Sequence, residues 1–577
     1  MSNSRGRQRR AARRRIGPVL VVVIVLILVI AIIGVSRIID KYTPTKETQD
    51  LYEYFGIAEG TDRAAIIYNE ERLETEQAFS QNGELYLSYS FVHDELNPIF
   101  YWDETEQLLL YTTATDVITA TVDSPQISVS GETQTEDYAP VTLLDGVPYV
   151  AVDFASEYSD FTYEIYEAPE RILITNEFGS YTAVTASEAT QLRVRGGIKS
   201  PILKEVAEGE TLKVLDHEEN WTKVADASGL IGYVTNKSLN EETTESLVSG
   251  YIAPEYSHVF LNERACVLWH QVTGQAGNAS VSSVLAQSTA VNVLSPTWFY
   301  LDDNEGNIED FSSAEYVAAC HQQGVQVWGL VSNLEDDGVD TSEVLSVTSK
   351  RNNLVNQLIA AAILCGMDGI NVDFEAISTD AGDGYIQFIR ELALKCHNNG
   401  LVLSVDDYVP SNYTTIYAWD QQALFGDYVI LMAYDEHYAG SEEAGSVASL
   451  DFVQQGVQDM IGLGVPAEQL ILGMPFYTRI WTENAEYQVS SRAVGMSEAV
   501  NEVTAAGATV TWLEQEGQYY AEYQSGESLC QVWLEDQTSL EKKMDVMIEQ
   551  GLAGGAFWKS GLEDITIWQK ISEYMAK

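Results

Sequence analysis

Residues 368–377 read D-G-I-N-V-D-F-E-A-I, and from Ile370 onward apolar and polar residues alternate. Asn371, Asp373 and Glu375 fall on one side; Ile370, Val372 and Phe374 fall on the other. A period of two is that of a β-strand, whose successive side chains point to opposite faces. Two acids and an amide therefore share one face. Burying such a face is costly unless its groups are paired or a site employs them.

Working outward, the region from about residue 250 alternates short apolar runs with helical patterns. Further strands are predicted at 264–270, 291–300, 325–333, 401–408, 428–437, 470–477 and 552–558, which with 369–375 makes eight. Helical patterns fill most of the gaps, for example 341–364 and 385–396. Eight strand–helix steps fit an α/β fold of the (β/α)8 TIM-barrel type over 250–577. An open doubly wound sheet is the other arrangement of such a pattern, but no Gly-rich phosphate loop accompanies it here. Residues 478–536, between strands seven and eight, are too long for a plain crossover and are expected to form a small inserted subdomain.

The N-terminal half is organised differently. Seven arginines (5, 7, 9, 10, 13, 14 and 15) and no acid occupy residues 1–15, and the uncharged run 16–36 follows. At ~1.5 Å per residue that run spans roughly 30 Å, the thickness of a bilayer core. Its apolar stretch is longer than a signal peptide needs and no A-x-A-like cleavage site precedes Arg37, so an uncleaved transmembrane helix is expected. The basic tail 1–15 would stay in the cytoplasm, which puts the rest of the chain outside the cell. A polar stalk is expected over 37–80. An internal repeat follows over 81–180: N-G-E-L-Y-L-S-Y-S-F-V (82–92) returns as D-G-V-P-Y-V-A-V-D-F-A (145–155), an offset of 63 that also aligns 109–112 with 172–175. Two tandem small α+β units are expected. Their pattern resembles the copper-amine-oxidase N-terminal-like domain of bacterial surface proteins; without clustered histidines, that likeness implies no copper. Residues 186–242 read as short strands with turns. With Trp221 and Gly232-Tyr233-Val234 in order, they resemble a bacterial SH3-like β-barrel.

The 577-residue chain carries a formal charge of −54, concentrated outside the basic tail. Such a surface repels phosphate backbones, so no nucleic-acid partner is expected. Five cysteines, scattered at 266, 320, 365, 396 and 530, give neither a disulfide framework nor metal-ligand spacing. They are expected to be small buried residues, and the protein is expected to hold no metal or cofactor and to be a monomer.

In a parallel barrel the strand C-termini build the site. The predicted strands end in Trp298 and Tyr300, Asn333, Glu375, Asp407 and Tyr408, Tyr434 and Asp435, Tyr477 and Trp558. Aromatic faces with a few acids suit sugar rings. Glu375, at a strand end in an aromatic setting, has the character of a general acid.

Asp368-Gly-Ile-Asn-Val-Asp-Phe-Glu375 resembles the D-G-x-D-x-D-x-E signature of glycoside hydrolase family 18, the chitinase-like enzymes. M-A-Y-D (432–435), P-F-Y (475–477) and Trp558 in A-F-W-K-S-G follow in the expected order. The likeness implies a retaining, substrate-assisted glycosidase acting on N-acetylglucosamine-containing glycan. Glu375 would be the acid, Asp373 would hold the acetamide N–H and Tyr434 the acetamide oxygen. Asp435 would contact the sugar and Trp558 would lie beneath it. Asp368, Asn371, Asn333, Trp298, Tyr408 and Tyr477 complete the expected substrate-binding set. The chain departs from the signature at Asn371, where the family usually has Asp, and at Phe374, where many members have Trp. N-V-D-F-E looks most like the spore-cortex-lytic peptidoglycan N-acetylglucosaminidases. The Asn371 amide is expected to donate to Asp373 and favour its ionised form. With the anchor and the SH3-like module, the resemblance points to peptidoglycan in the cell wall rather than chitin.

Overall fold

The computed structural model describes residues 13–336 and 338–577. The basic tail expected over 1–15 therefore falls largely outside the described residues. A helix runs over Arg13–Tyr42, and its Val19–Tyr42 portion is long and apolar enough to cross a membrane. Beyond it the chain forms two compact units. One extends to Asn97 and resumes over Leu143–Ala253; the other joins Pro98–Thr142 to Pro254–Lys577.

The first unit corrects two expectations. The region 37–80 is not wholly a stalk, because Arg63–Tyr68 and Glu71–Gln81 are strands of a seven-stranded sheet. Nor do the repeats form two separate units. Glu84–Ser88 pairs antiparallel with Val147–Ala151, placing Leu87 opposite Val150. Those two are repeat equivalents, so the repeated strands meet each other and share one sheet. Their following hairpins then diverge. Arg171–Thr175 of the second pairs in parallel with Arg63–Tyr68. The hairpin Phe100–Asp103/Leu108–Thr112 of the first instead begins a five-stranded antiparallel meander in the second unit. Residues 179–247 form a second seven-stranded antiparallel sheet, the SH3-like module, around Leu192, Val224 and Val234.

In the second unit eight parallel strands close into a barrel: β1 (Ala265–His270), β2 (Val293–Leu301), β3 (Gln326–Ser332), β4 (Gly369–Asp373), β5 (Val402–Tyr408), β6 (Tyr428–Met432), β7 (Leu470–Pro475) and β8 (Gly554–Trp558). β1 pairs with both β2 and β8, which closes the ring. Inside it lie Val267, Trp269, Trp328, Leu330, Val402, Ile430 and Ile471. The outward face of β4 is as apolar as its alternation requires: Phe374 stacks on Phe388 of the helix Gly382–Asn398. The predicted helix over 341–364 is two, Thr341–Ser346 and Thr348–Cys365.

The meander is built onto these helices. Asp103, fully buried, accepts from the backbone N–H of Thr348 at 2.6 Å, and the Tyr101 hydroxyl donates to the Ser346 carbonyl at 2.8 Å. The helix Thr348–Cys365 follows Val347, which has no side-chain oxygen to cap it. Asp103 supplies that missing acceptor and a negative charge at the helix N-terminus. Residues 477–534 form five strands with the helix Met496–Ala506 between β7 and β8. The five cysteines are unpaired, and all except Cys365 are buried.

Candidate active site

The C-terminal mouth of the barrel gathers most of the predicted residues. Asn371 and Asp373 point inward from β4, and Glu375 follows just past the strand end. Asn333, after β3, fixes that end: its Oδ1 accepts from the Glu375 N–H at 2.8 Å and its Nδ2 donates to the Glu375 carbonyl at 3.0 Å. Immediately afterwards the backbone turns through a left-handed Ala376 (φ 52°). The Glu375 carboxyl hydrogen-bonds the hydroxyl of Tyr408 at the end of β5. Burial raises its pKa, the charges of Asp435 and Glu335 add to the rise, and the Tyr408 bond opposes it. A carboxyl pushed upward in this way suits proton donation.

Asp373 is held further above the usual carboxylate range, by burial first and then by the charges of Asp406, Glu375 and Glu335. Its Oδ1 is buried without a hydrogen-bond partner in the structure. Tyr434 follows β6 next to Tyr477, with ring centroids 6.3 Å apart, and the Tyr477 hydroxyl donates to Asp435 at 2.6 Å. Burial, with the charges of neighbouring Tyr477, Asp406, Asp373 and Glu375, raises the Tyr434 hydroxyl pKa, so it stays a hydrogen-bond donor. Trp558 ends β8 edge-on to Trp269, at 5.7 Å between centroids. The inserted subdomain supports this rim: Trp481 donates to the Gly445 carbonyl at 2.8 Å, in the loop that carries Tyr434 and Asp435. His437, in the same loop, donates from Nδ1 to the Ser446 carbonyl at 2.9 Å.

Three expectations are corrected. Trp298 does not reach the mouth. It is fully buried outside the barrel, its indole N–H donating to Asn278 at 2.8 Å and its ring against Tyr316. Strand alternation explains this, because Ser295, an odd position on β2, is the one that points inward. Asp368 sits at the opposite, N-terminal end of β4, accepting from the Val327 N–H and paired with His321, both at 2.8 Å. It ties β4 to β3 and lies about 16 Å along the strand from Asp373. Asn371 does not donate to Asp373. Its Oδ1 accepts from Trp269 Nε1 at 3.0 Å and Ser295 Oγ at 2.9 Å, which turns its Nδ2 to Asp406 at 2.8 Å.

Asp406 is the residue that sequence reasoning missed. Reading β5 with period two from Tyr408 places Asp406 and Ser404 on the inner face and sends Asp407 outward. Asp407 indeed lies behind the strand, accepting from Gln422 at 3.1 Å, with its pKa raised to about 8 by burial.

The model of glycosyl hydrolases family 18 matches residues 230–563. The chain belongs to that family. Family 18 is a family of glycoside hydrolases. Residues 67–174 match the copper amine oxidase N-terminal domain and 188–240 a bacterial SH3 domain. The glycosylase YdhD of Bacillus subtilis (strain 168) is 26% identical over 279 residues, 45% of this chain and 64% of YdhD. The cortical fragment-lytic enzyme of the same organism is 23% identical over 265 residues, covering 44% and 60%. The chain thus spans less than two thirds of either relative. The crystal structure of the Bacillus cereus spore cortex-lytic enzyme SleL shares the fold, with a TM-score of 0.50 at 19% identity, covering 57% of this chain and 78% of that one.

Proposed function

We propose that this family 18 enzyme is a retaining glycosidase that cleaves β-1,4 bonds after N-acetylglucosamine in peptidoglycan, using the sugar's own acetamide as nucleophile. One observation carries the reading. Glu375, pinned by Asn333, stands at the strand end with Asp373 two residues below it on the same face. A carboxylate nucleophile would need to approach the anomeric carbon from the far side of the sugar, about 5–5.5 Å from the acid. Asp373 is a near neighbour of Glu375 and suits a different task, holding the acetamide N–H.

In the proposed reaction Glu375 gives its proton to the glycosidic oxygen as that bond breaks. The acetamide oxygen closes on the anomeric carbon to form an oxazolinium ion, oriented by Asp373 and by the Tyr434 hydroxyl. Water, deprotonated by Glu375, then opens the ring with net retention. Asp435, positioned by Tyr477, contacts the sugar, and Trp558 lies beneath its ring.

Peptidoglycan is favoured over chitin by the SH3-type module, of a kind common in cell-wall enzymes, by N-V-D-F-E, and by relatives named for lysis of spore-cortex material. The apolar helix ending at Tyr42 is proposed to anchor the chain, its arginines in the cytoplasm and the catalytic unit outside. The test incubates the full-length protein with purified muropeptides and with N-acetylchitooligosaccharides, reading products by mass and anomeric configuration by proton NMR. Retained configuration and muropeptide cleavage support the proposal. Inverted products, or equal rates on sugars lacking the N-acetyl group, refute it.

A further inference from the structure

Asp406 occupies a place that the proposed reaction leaves without a task. It is 2% exposed, on the inner face of β5. The β4–β5 register pairs Asn371 with Ser404 and Val372 with Val405. Continued by one residue, it sets Asp373 beside Asp406, and inward side chains at adjacent positions on neighbouring strands lie about 5 Å apart. Asn371 fixes one oxygen of Asp406, while Oδ1 of Asp373 is buried and unpaired. Two carboxylates this close, in an interior lined by Val267, Trp269 and Ile430, cannot both be charged.

We propose that Asp406 is a positioning residue that shares a single proton with Asp373 across the β4–β5 pair. In the free enzyme the proton bridges the two carboxyls. When substrate arrives it moves from Asp373 to Asp406, so Asp373 becomes the anion that accepts the acetamide N–H and the charge of the pair stays at minus one. Asn371 carries no proton in this exchange. Its amide, oriented by Trp269 and Ser295, holds Asp406 in place. The same environment pushes both carboxyls upward, burial being the largest cause in each case. The titratable and charged groups around the pair are Glu375 beyond β4, Glu335 beyond β3, Asp407 on the back of β5, Tyr434 beyond β6, and the buried Tyr385 and Tyr417.

The reading rests on the substrate-assisted mechanism above, and the experiment separates the two. Asp406→Asn, Asn371→Asp and the exchange Asn371→Asp/Asp406→Asn are assayed in the full-length protein from acid to alkaline pH on N-acetylchitotetraose and muropeptides. Asp406→Asn keeps the shape and removes the proton carrier. Its kcat falls about 10-fold or more with little change in KM. Its acidic limb moves upward, because the shared proton no longer stabilises the singly charged pair. The exchange, which restores one acid facing one amide, recovers most of the lost kcat. A purely structural Asp406 predicts an unmoved limb and no recovery; either result overturns the proposal. Infrared absorption of protonated carboxyls at neutral pH is a second readout, independent of turnover. Asp406→Asn loses one such group if the proton is shared, and an unchanged band overturns the proposal even if the wild-type protein cleaves neither substrate.

Discussion

Asn371 donates to Asp406 at 2.8 Å, and its own oxygen is held by Trp269 and Ser295. The amide therefore has one orientation, and a carboxylate in its place would face Asp406 oxygen to oxygen. Asn371→Asp is expected to take up a proton at neutral pH, lower kcat and displace the acidic limb of the pH–rate profile. Superimposable profiles for the two proteins would show that Asn371 has no influence on the site.

Glu375→Gln removes the proposed acid while preserving shape. General acid catalysis contributes about 10²–10⁴-fold, so kcat should drop by that order with binding retained. Isothermal titration with N-acetylchitotetraose, alongside the rate, distinguishes lost chemistry from lost affinity.

Asn333→Ala deletes both hydrogen bonds to the Glu375 backbone. A reduced kcat with unaltered pH limbs is expected, because the acid is displaced but its electrostatic surroundings persist. A shift in either limb would mean that Asn333 acts on the ionisation of Glu375 as well.

Trp558→Ala should raise KM, because it removes the ring proposed to lie under the sugar. Trp298→Phe should leave KM unchanged and cost stability instead, because it leaves the buried Asn278 side chain without its indole donor. Equal effects on KM would place Trp298 back in the cleft.

Asp407 supplies a pH test of stability. Its carboxyl, raised to about 8 in the folded chain by burial, ionises near 4 when unfolded. Between those values the folded state binds the extra proton, so the contribution is present at low pH and is lost as pH rises toward 8. Asp407→Asn should melt above wild type at pH 8 and converge with it near pH 4. Asp103→Ala, which uncaps the helix Thr348–Cys365, should cost about 1–2 kcal/mol, measured by urea unfolding.

The amino-acid sequence alone determined the eight strands, the barrel and the family, because period-two and helical patterns are local and the motifs sit at strand ends. It also placed Glu375 and Asp373 on one face. Only the tertiary structure decided which neighbours complete that face. Asp406 and Asn371 are 35 positions apart and meet because β4 and β5 pair in one register, a contact set by non-local packing. Trp298 went outward because β2 points its odd positions inward, and one step in phase exchanges mouth for mantle. The two repeats looked like separate units, yet their equivalent strands pair about Leu87 and Val150, since an unpaired edge in each finds its complement in the other.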